Sequence, residues 1–416
     1  MSVSTATGAK SSADYIALED RYGAHNYHPL PVVLSRGEGV HVWDVEGKQY
    51  YDFLSAYSAV NQGHGHPVIL KALTDQAATL SLTSRAFHSD ALGEYAAYVT
   101  DYFGYDRVLP MNTGVEGFET ALKVVRKWAY TVKGTPENEA IIVVAENNFH
   151  GRTMSAISAS NDPDSYEGFG PFLPGMMRIP YNDLGALEEV LKNPNVVGFM
   201  AEPIQGEAGV VVPDDGYLKG CSELCRAAGA LFIADEVQTG IARTGRLLAC
   251  DHEEVKPDVL VLGKALSGGM YPVSAVLASD EIMLSIKPGE HGSTYGGNPL
   301  ACRVAMAALD VVRDEKLAER AQELGVLFRK NMQEVCEKYE IAKLVRGKGL
   351  LNAVVINDSP ESKTAWNICM HLRDNGLLAK PTHGNIIRFA PPLVINEAQV
   401  NECSQIIEGS IAAFNK

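Results

Sequence analysis

Asp258–Pro272 reads DVLVLGKALSGGMYP, and its two halves differ in kind. Val259, Leu260, Val261 and Leu262 form a short, branched apolar run that suits a buried strand. Gly263 ends the run, Lys264 follows, and then come the small residues Ala265, Ser267, Gly268 and Gly269. A lysine placed where a buried strand stops is presented on a rigid mount beside a loop-lined pocket. A free lysine amine has a pKa near ~10.4, so a nucleophilic lysine needs burial or an imine bond to stay neutral. A lone lysine in this position ordinarily caps a strand at the surface, and the residues upstream decide between the two readings.

Outward from this stretch, from about Pro67 to Leu277, helical spacers alternate with apolar strands. The strands are VLPMN, IIVVA (141–145), VGFMAEP (197–203), ALFIADE (230–236), VLVLG (259–263) and PVSAVLA (272–278). This alternation predicts a mostly parallel α/β sheet covered on both faces, with ligands at the carboxyl ends of the strands. On the N-terminal side a short helix is expected around Asp14–Tyr22, and GVHVWDVEGKQYYDFLS reads as a hairpin turning at Glu46-Gly47-Lys48. The following SAYSAVNQGHGHP reads as a loop, with structural roles for His64 and His66 because no ligand partner lies nearby in sequence. Asn298 to about Tyr339 has continuous helical periodicity and reads as the bridge out of the large domain. The rest, LVRGKGLLNAVVIN, the helix TAWNICMHLRDNG, NIIRFAPPLVI and a final amphipathic helix, suits a small α+β domain packed with the N-terminal hairpin. The expected division is 1–57, 58–310 and 311–416.

A chain of 416 residues exceeds what one hydrophobic core serves. The net charge of −15 argues against nucleic acid or an anionic membrane as the main partner, while leaving room for phosphate at helix N-termini. Seven scattered cysteines without a CxxC fit free thiols in a reducing compartment; Cys221 and Cys225, one helical turn apart, read as packing. No apolar run approaches the ~20 residues of a membrane span. The Ser/Thr-rich start, MSVSTATGAKSSADY, has neither an apolar core nor an early arginine, which suits a disordered tail on a cytoplasmic protein rather than a signal or presequence.

Two further segments carry chemistry. Met111-Asn112-Thr113-Gly114-Val115-Glu116-Gly117 follows a strand and opens a helix, so its backbone N–H groups and the helix dipole favour an anion; it is neither a Walker loop nor a GxGxxG turn. Asp235 ends the apolar strand ALFIADE, where a buried carboxylate needs a cationic partner. That partner is either a ligand, such as a pyridinium nitrogen, or absent, with Asp235 capping the next helix. Asp235, Gln238 and Lys264 across one strand–helix–strand unit suit a pyridoxal phosphate site.

The motifs NTGVEG, FHGRT, EPIQGEAG, ADEVQTG, GKALSGG and HGSTYGGNP, in that order, resemble the class III aminotransferases of the fold type I pyridoxal-phosphate enzymes. GAHNYHPLPV, SAYSAVNQGHGHP, EHGSTYGGNPLA and IIRFAPPLVI extend the resemblance to the ornithine-acting branch, over nearly the whole chain from Asp14. The resemblance implies a large domain with a seven-stranded, mostly parallel sheet plus a small α+β domain. It implies that Lys264 bonds pyridoxal 5'-phosphate and then moves the substrate's proton, that Asp235 pairs with the pyridine nitrogen, that Gln238 bonds the phenolic oxygen and that Phe149 stacks on the ring. Gly114 and Val115 would hold the phosphate, joined by Thr294 from a second subunit, so a homodimer with a shared site is implied. Tyr27 and Arg152 would hold the distal end of L-ornithine, with Tyr57 shaping the pocket. Arg388 would clamp the α-carboxylate of glutamate and 2-oxoglutarate, masked by Glu207 in the ornithine half-reaction; the plain alternative is a static Glu207–Arg388 bridge. The activity implied is transfer of the δ-amino group of ornithine to 2-oxoglutarate, in proline biosynthesis and arginine catabolism. Acetylornithine or 4-aminobutyrate as donor, a catalytically silent scaffold and a mitochondrial matrix location stand as alternatives.

Overall fold

The computed structural model describes residues 10–415; most of the expected disordered tail, residues 1–9, lies outside the described residues. The first helix, Ser12–Tyr22, begins where Ser11 and Asp14 form a reciprocal capping box.

A seven-stranded sheet organises the large domain. Its spatial order is Arg107–Met111, Ser274–Ala278, Val259–Leu262, Leu231–Asp235, Val196–Ala201, Ile141–Ala145 and Met176–Ile179. Ser274–Ala278 runs antiparallel to both neighbours, and every other pairing is parallel. Val196–Ala201, Leu231–Asp235 and Val259–Leu262 are buried at every position, which is why their sequences are apolar runs rather than alternating patterns. The edge strand Met176–Ile179 escapes sequence reading. It has four residues, is only partly buried, and follows Pro171, Pro174 and Gly175, so no periodicity announces it. The helix Gly114–Trp128 starts at a Thr113–Glu116 capping box and lays Phe118, Ala121, Leu122 and Val125 into the core.

The long C-terminal segment differs from its sequence reading. It is two helices, Pro299–Asp314 and Leu317–Lys338, broken at Lys316, whose φ is 53°. Neither glycine nor proline marks the break and apolar periodicity continues across it, so the sequence reads as one helix. Downstream, an antiparallel sheet orders Ala342–Lys348, Leu351–Ile356, Ile386–Phe389 and Lys380–Thr382. The N-terminal strands Leu34–Glu38, His41–Asp44 and Gln49–Asp52 form a separate sheet, completed by Leu377–Leu378 pairing parallel to Gln49–Asp52. Backbone hydrogen bonds thus tie the hairpin to the C-terminal part of the chain.

His64 and His66 take separate carboxylate partners, Asp52, twelve residues upstream, at 2.7 Å and the distant Glu315 at 2.9 Å. No cluster of His, Cys, Asp or Glu among the described residues could hold a metal ion. All seven cysteines are free thiols, Cys221 and Cys225 buried in the core. No described helix is long and apolar enough to cross a membrane.

Phe53, Phe328 and Phe389 join the hairpin, the helix Leu317–Lys338 and the strand bearing Arg388, with ring centroids 5.8–6.2 Å apart. Each is buried to within 1%. Phe328→Ala leaves a cavity where these three segments meet, and urea titration should show a loss of about 3–5 kcal/mol; a loss below about 1 kcal/mol would mean the junction repacks freely.

Candidate active site

Parallel pairing brings three charged side chains to neighbouring strand ends. Val196–Ala201 is followed by Glu202, Leu231–Asp235 ends in Asp235, and Val259–Leu262 is followed by Gly263 and Lys264. Lys264 adopts a φ of 44° and opens a one-turn 3-10 helix to Ser267. Left-handed backbone at a non-glycine residue is strained by about 1 kcal/mol or more, a cost found mainly at working positions. Lys264 borders a cavity of about 320 Å³ shared with Asn112, Thr113, Gly114 and Tyr271. Burial pulls the Lys264 pKa below the ordinary lysine value, although Glu207, Asp235 and Glu202 pull the other way. The strand-cap reading does not describe an amine in these surroundings.

Asp235 is 5% exposed and is not a helix cap: its Oδ1 accepts the Val237 N–H at 3.1 Å, and the segment after it turns without forming a helix. Its Oδ2 lies 2.6 Å from His150 Nδ1. His150 is buried and stacks on Phe118 with centroids 5.0 Å apart. Burial opposes charge on the imidazole, but the hydrogen bond and charge of Asp235 outweigh it and raise the His150 pKa. Among the described residues, His150 Nε2 is buried without a hydrogen-bond partner. Sequence reading passed over His150 although FHGRT was in view, because a lone histidine beside Phe149 carries no signal of its own.

Glu202 was missed as well. It ends a fully buried strand, the same signal that singles out Asp235. Its carboxylate accepts Phe149 N–H at 2.9 Å and Gly206 N–H at 3.4 Å. Burial pushes its pKa up to about 7. Glu236, bonded by Thr239 and by the Cys250 N–H at 2.8 Å, is likewise pushed up to about 7 by burial.

The opposite wall comes from the C-terminal domain and the hairpin's exit. Arg388, on the strand Ile386–Phe389, is buried, and its Nη1 meets Glu207 Oε1 at 2.8 Å, the Gly206 carbonyl at 3.1 Å and Gln238 Oε1 at 3.4 Å. Gln238 Nε2 donates to the same Glu207 oxygen at 3.0 Å. Burial alone would raise the Glu207 pKa, but Arg388 overcomes it and holds the carboxyl below the ordinary value. Tyr57 faces the guanidinium, 4.7 Å from ring centroid to Cζ. It sits within Ser55–Ser58, four consecutive non-glycine residues with φ of 51°, 46°, 59° and 73°. This left-handed turn is held at its start by Asp52 Oδ1, which accepts the Leu54 and Ser55 N–H groups at 2.8 Å. The expected loop is therefore a strained presentation of Tyr57.

Phe149 and Arg152 share the loop after Ile141–Ala145, with the Arg152 Cζ 5.6 Å from the Phe149 ring and its Nη1 3.3 Å from Ser165 Oγ. Gly114 and Val115 form the first turn of the helix Gly114–Trp128. Gly114 approaches so closely that a Cβ there would meet Val237 at 2.8 Å, and its Cα lies within 3.5 Å of a Cβ built on Gly263, which packs the helix start onto the Lys264 mount. Tyr27 is 71% exposed yet near enough to Tyr57 to help raise that hydroxyl's pKa, and Thr294 is exposed beside Tyr295. One chain thus assembles Lys264, Asp235, Gln238, Glu207, Arg388 and Tyr57, with Tyr27 at the exposed rim beside Tyr57.

The donor set fits a phosphorylated pyridine. A buried carboxylate steadied by histidine suits a ring N–H, a lysine of lowered pKa suits imine formation, and a glycine-started helix offers N–H groups to phosphate.

Residues 22–411 match the family model for class III aminotransferases, and the chain belongs to that family. Members of this family use pyridoxal 5'-phosphate. Among its relatives, the chain is 65% identical over 409 residues to a Drosophila melanogaster protein named ornithine aminotransferase, mitochondrial, covering 98% of this chain and 94% of the relative. A solved ornithine aminotransferase from Toxoplasma gondii ME49 superposes with a TM-score of 0.95 at 51% identity, covering 97% of this chain and 96% of that one. A solved structure from Elizabethkingia anophelis named acetylornithine aminotransferase is 62% identical, with a TM-score of 0.90 over 97% of this chain and 100% of that one.

The raised carboxyl at Glu236 has a pH consequence of definite sign. Between its ordinary value of 4.5 and about 7 the folded protein binds a proton that the unfolded chain has released. Stability from this group therefore falls as pH rises through that window. Glu236→Gln removes the loss, so the variant should gain on wild type by up to about 3 kcal/mol between pH 5 and pH 8 in denaturant titrations. A gap that stays constant with pH would show that Glu236 is ionised throughout.

Proposed function

We propose that the chain is an L-ornithine:2-oxoacid 5-aminotransferase. It moves the δ-amino group of ornithine to 2-oxoglutarate, giving glutamate and glutamate 5-semialdehyde, which closes to pyrroline-5-carboxylate. The observation that carries this reading is the pair formed by buried Arg388 and partly exposed Glu207, 2.8 Å apart, on the wall facing Lys264. An enzyme alternating between a donor with no carboxylate near its reacting carbon and an acceptor with one there needs an arginine that can be masked and unmasked.

Bound pyridoxal phosphate supplies an electron sink for the carbon that loses its proton. Asp235, held by His150, keeps negative charge for the ring nitrogen, and Gln238 offers its amide to the phenolic oxygen. Phe149 covers the ring face, and the Gly114 and Val115 N–H groups take the phosphate. Lys264, desolvated and mounted on a rigid strand end, moves the proton at the amine-bearing carbon. Arg152 and Tyr27 hold the α-carboxylate and α-amino group of ornithine, with Tyr57 closing the pocket over Arg388.

Thr294 is exposed, and Phe87 and Tyr295 are 74% and 52% exposed. An exposed Thr294 is free to meet a second copy, which is consistent with a homodimer whose sites are completed across the interface by Thr294. For the domains, 58–310 is taken as the cofactor-binding unit, with 1–57 and 311–416 flanking it. The helix Pro299–Asp314 runs through the boundary, so Lys316 is the physical breakpoint. The name of the insect relative favours the mitochondrial matrix over the cytoplasm, a choice that cell fractionation tests. The product assigns the protein to proline formation and arginine breakdown.

The Elizabethkingia structure's name favours a second reading, with acetylornithine as donor. Arg152 and the two tyrosines weigh against it, because an acetylated distal amine has less need of polar groups. Purified protein with 2-oxoglutarate and, in turn, ornithine, acetylornithine and 4-aminobutyrate should give trapped pyrroline-5-carboxylate with ornithine. Turnover with acetylornithine alone would keep Lys264 and discard the roles of Tyr27, Tyr57 and Glu207. Lys264→Ala should fold normally and lose turnover by about 10⁴-fold or more; wild-type rates would remove Lys264 from the chemistry. Glu207→Ala should let glutamate compete as first donor and lower ornithine selectivity by about tenfold, and unchanged selectivity would make the bridge static.

A further inference from the structure

Glu202 has no part in the chemistry above, yet it joins two walls of the site. It is 4% exposed, and its two acceptor oxygens take backbone donors from different loops. Oε1 accepts Phe149 N–H at 2.9 Å, from the loop that also carries His150 and Arg152. Oε2 accepts Gly206 N–H at 3.4 Å, from the loop that carries Glu207. Tyr181 Oη fixes the base of this connection by donating to the Glu202 and Pro203 carbonyls at 3.2 and 3.0 Å.

Gly206 is pinned on every side. Its N–H is on Glu202 and its carbonyl accepts from Arg388 Nη1 at 3.1 Å. A Cβ at this position would lie 1.7 Å from Gln238 Oε1, so any side chain here would displace the Gln238 amide from Glu207 and Arg388. Glu207 is the next residue. If a substrate carboxylate takes Arg388, Glu207 must leave and the Gly206 carbonyl must share its donor. The bond from Gly206 N–H to Glu202 is untouched by that exchange.

We propose, resting on the reading of the site as an ornithine aminotransferase, that Glu202 is a positioning residue. It anchors the pivot of the Glu207 switch to the loop bearing Phe149 and Arg152. The carboxylate-binding wall and the distal wall thereby keep one spacing through both half-reactions. A carboxylate serves here where an amide does not, because both partners are N–H donors and only a carboxylate offers two acceptor oxygens and no donor. Burial raises the Glu202 pKa to about 7, so the anchor weakens as pH falls through neutrality.

Glu202→Gln tests this. The amide keeps one acceptor for Phe149 N–H and turns an NH₂ group toward Gly206 N–H. Hydrogen exchange on the apoprotein and the loaded protein should show faster exchange in peptides covering 203–210, with the central strands unchanged. With the loaded enzyme, KM for ornithine and 2-oxoglutarate should rise about tenfold, the effect of one lost charged hydrogen bond, while kcat changes less than about twofold. Wild-type KM should rise below about pH 7 as Glu202, faced by His150, Asp235 and Lys264, takes up a proton, and that rise should be absent in Glu202→Gln. Glu202→Asp, which keeps the charge but is one carbon shorter, should retain the pH dependence and is the fallback if the amide variant does not fold. Unchanged exchange at 203–210 together with wild-type KM and pH profile overturns the proposal. Faster exchange in a protein whose wild type does not turn over ornithine would uphold the anchor and discard the substrate assignment.

Discussion

Charge buried at the carboxyl ends of three adjacent parallel strands is the constraint that the rest of the molecule answers. Glu202, Asp235 and Lys264 arrive there because Val196–Ala201, Leu231–Asp235 and Val259–Leu262 pair in parallel register. Each buried charge costs several kcal/mol unless a partner meets it, so the surrounding elements are committed to supplying partners. His150 meets Asp235, backbone N–H groups meet Glu202, and Glu207 meets Arg388 from the other domain. Lys264 is met least well, and its lowered pKa is the consequence. An amine that cannot keep its proton cheaply is also one that can react. The same imbalance that strains the apoprotein prepares the nucleophile.

The sheet was legible because both of its faces are covered. Strands buried on two sides are apolar along their length, and five-residue runs such as IIVVA and ALFIA admit little else. The edge strand Met176–Ile179 was hidden for the complementary reason: it is buried on too few positions to need a pattern. The break at Lys316 was hidden because the helices on either side keep their apolar faces toward one core, so periodicity runs on through a kink that only backbone dihedrals record. Among site residues, Asp235 and Lys264 could be singled out from strand ends alone. Phe149, Arg152, Tyr27, Glu207, Arg388 and Thr294 came from the family likeness, since nothing in their local sequence distinguishes them from surface or packing residues. Glu202 carried the same strand-end signal as Asp235 and was passed over. Ser55–Ser58 could not have been foreseen at all, because serine, alanine and tyrosine do not favour left-handed backbone and only tertiary contacts impose it.

The geometry of Arg388 bears on whether its bridge to Glu207 is permanent. Among the described residues, all three hydrogen bonds of the Arg388 side chain are made by the single nitrogen Nη1, to Glu207, Gly206 and Gln238. A structural arginine–carboxylate bridge typically uses two nitrogens in a fork, which is the stronger arrangement. Here one nitrogen is shared three ways, so a substrate carboxylate that engages the guanidinium as a fork gains geometry that Glu207 does not have. Glu207 also keeps support without Arg388: Gln238 Nε2 donates to the oxygen that faces Arg388 at 3.0 Å, and the Glu207 side chain is 27% exposed to solvent. Releasing Arg388 therefore does not strand a bare carboxylate in a dry site, which is the cost that ordinarily makes a buried ion pair permanent. The left-handed turn at Tyr57 stacks the remaining face of the guanidinium, so the arginine stays in place while its partner changes. A fixed cation with an exchangeable anion is what distinguishes a switch from a bridge, and the three-way sharing of Nη1 supports the switch proposed above.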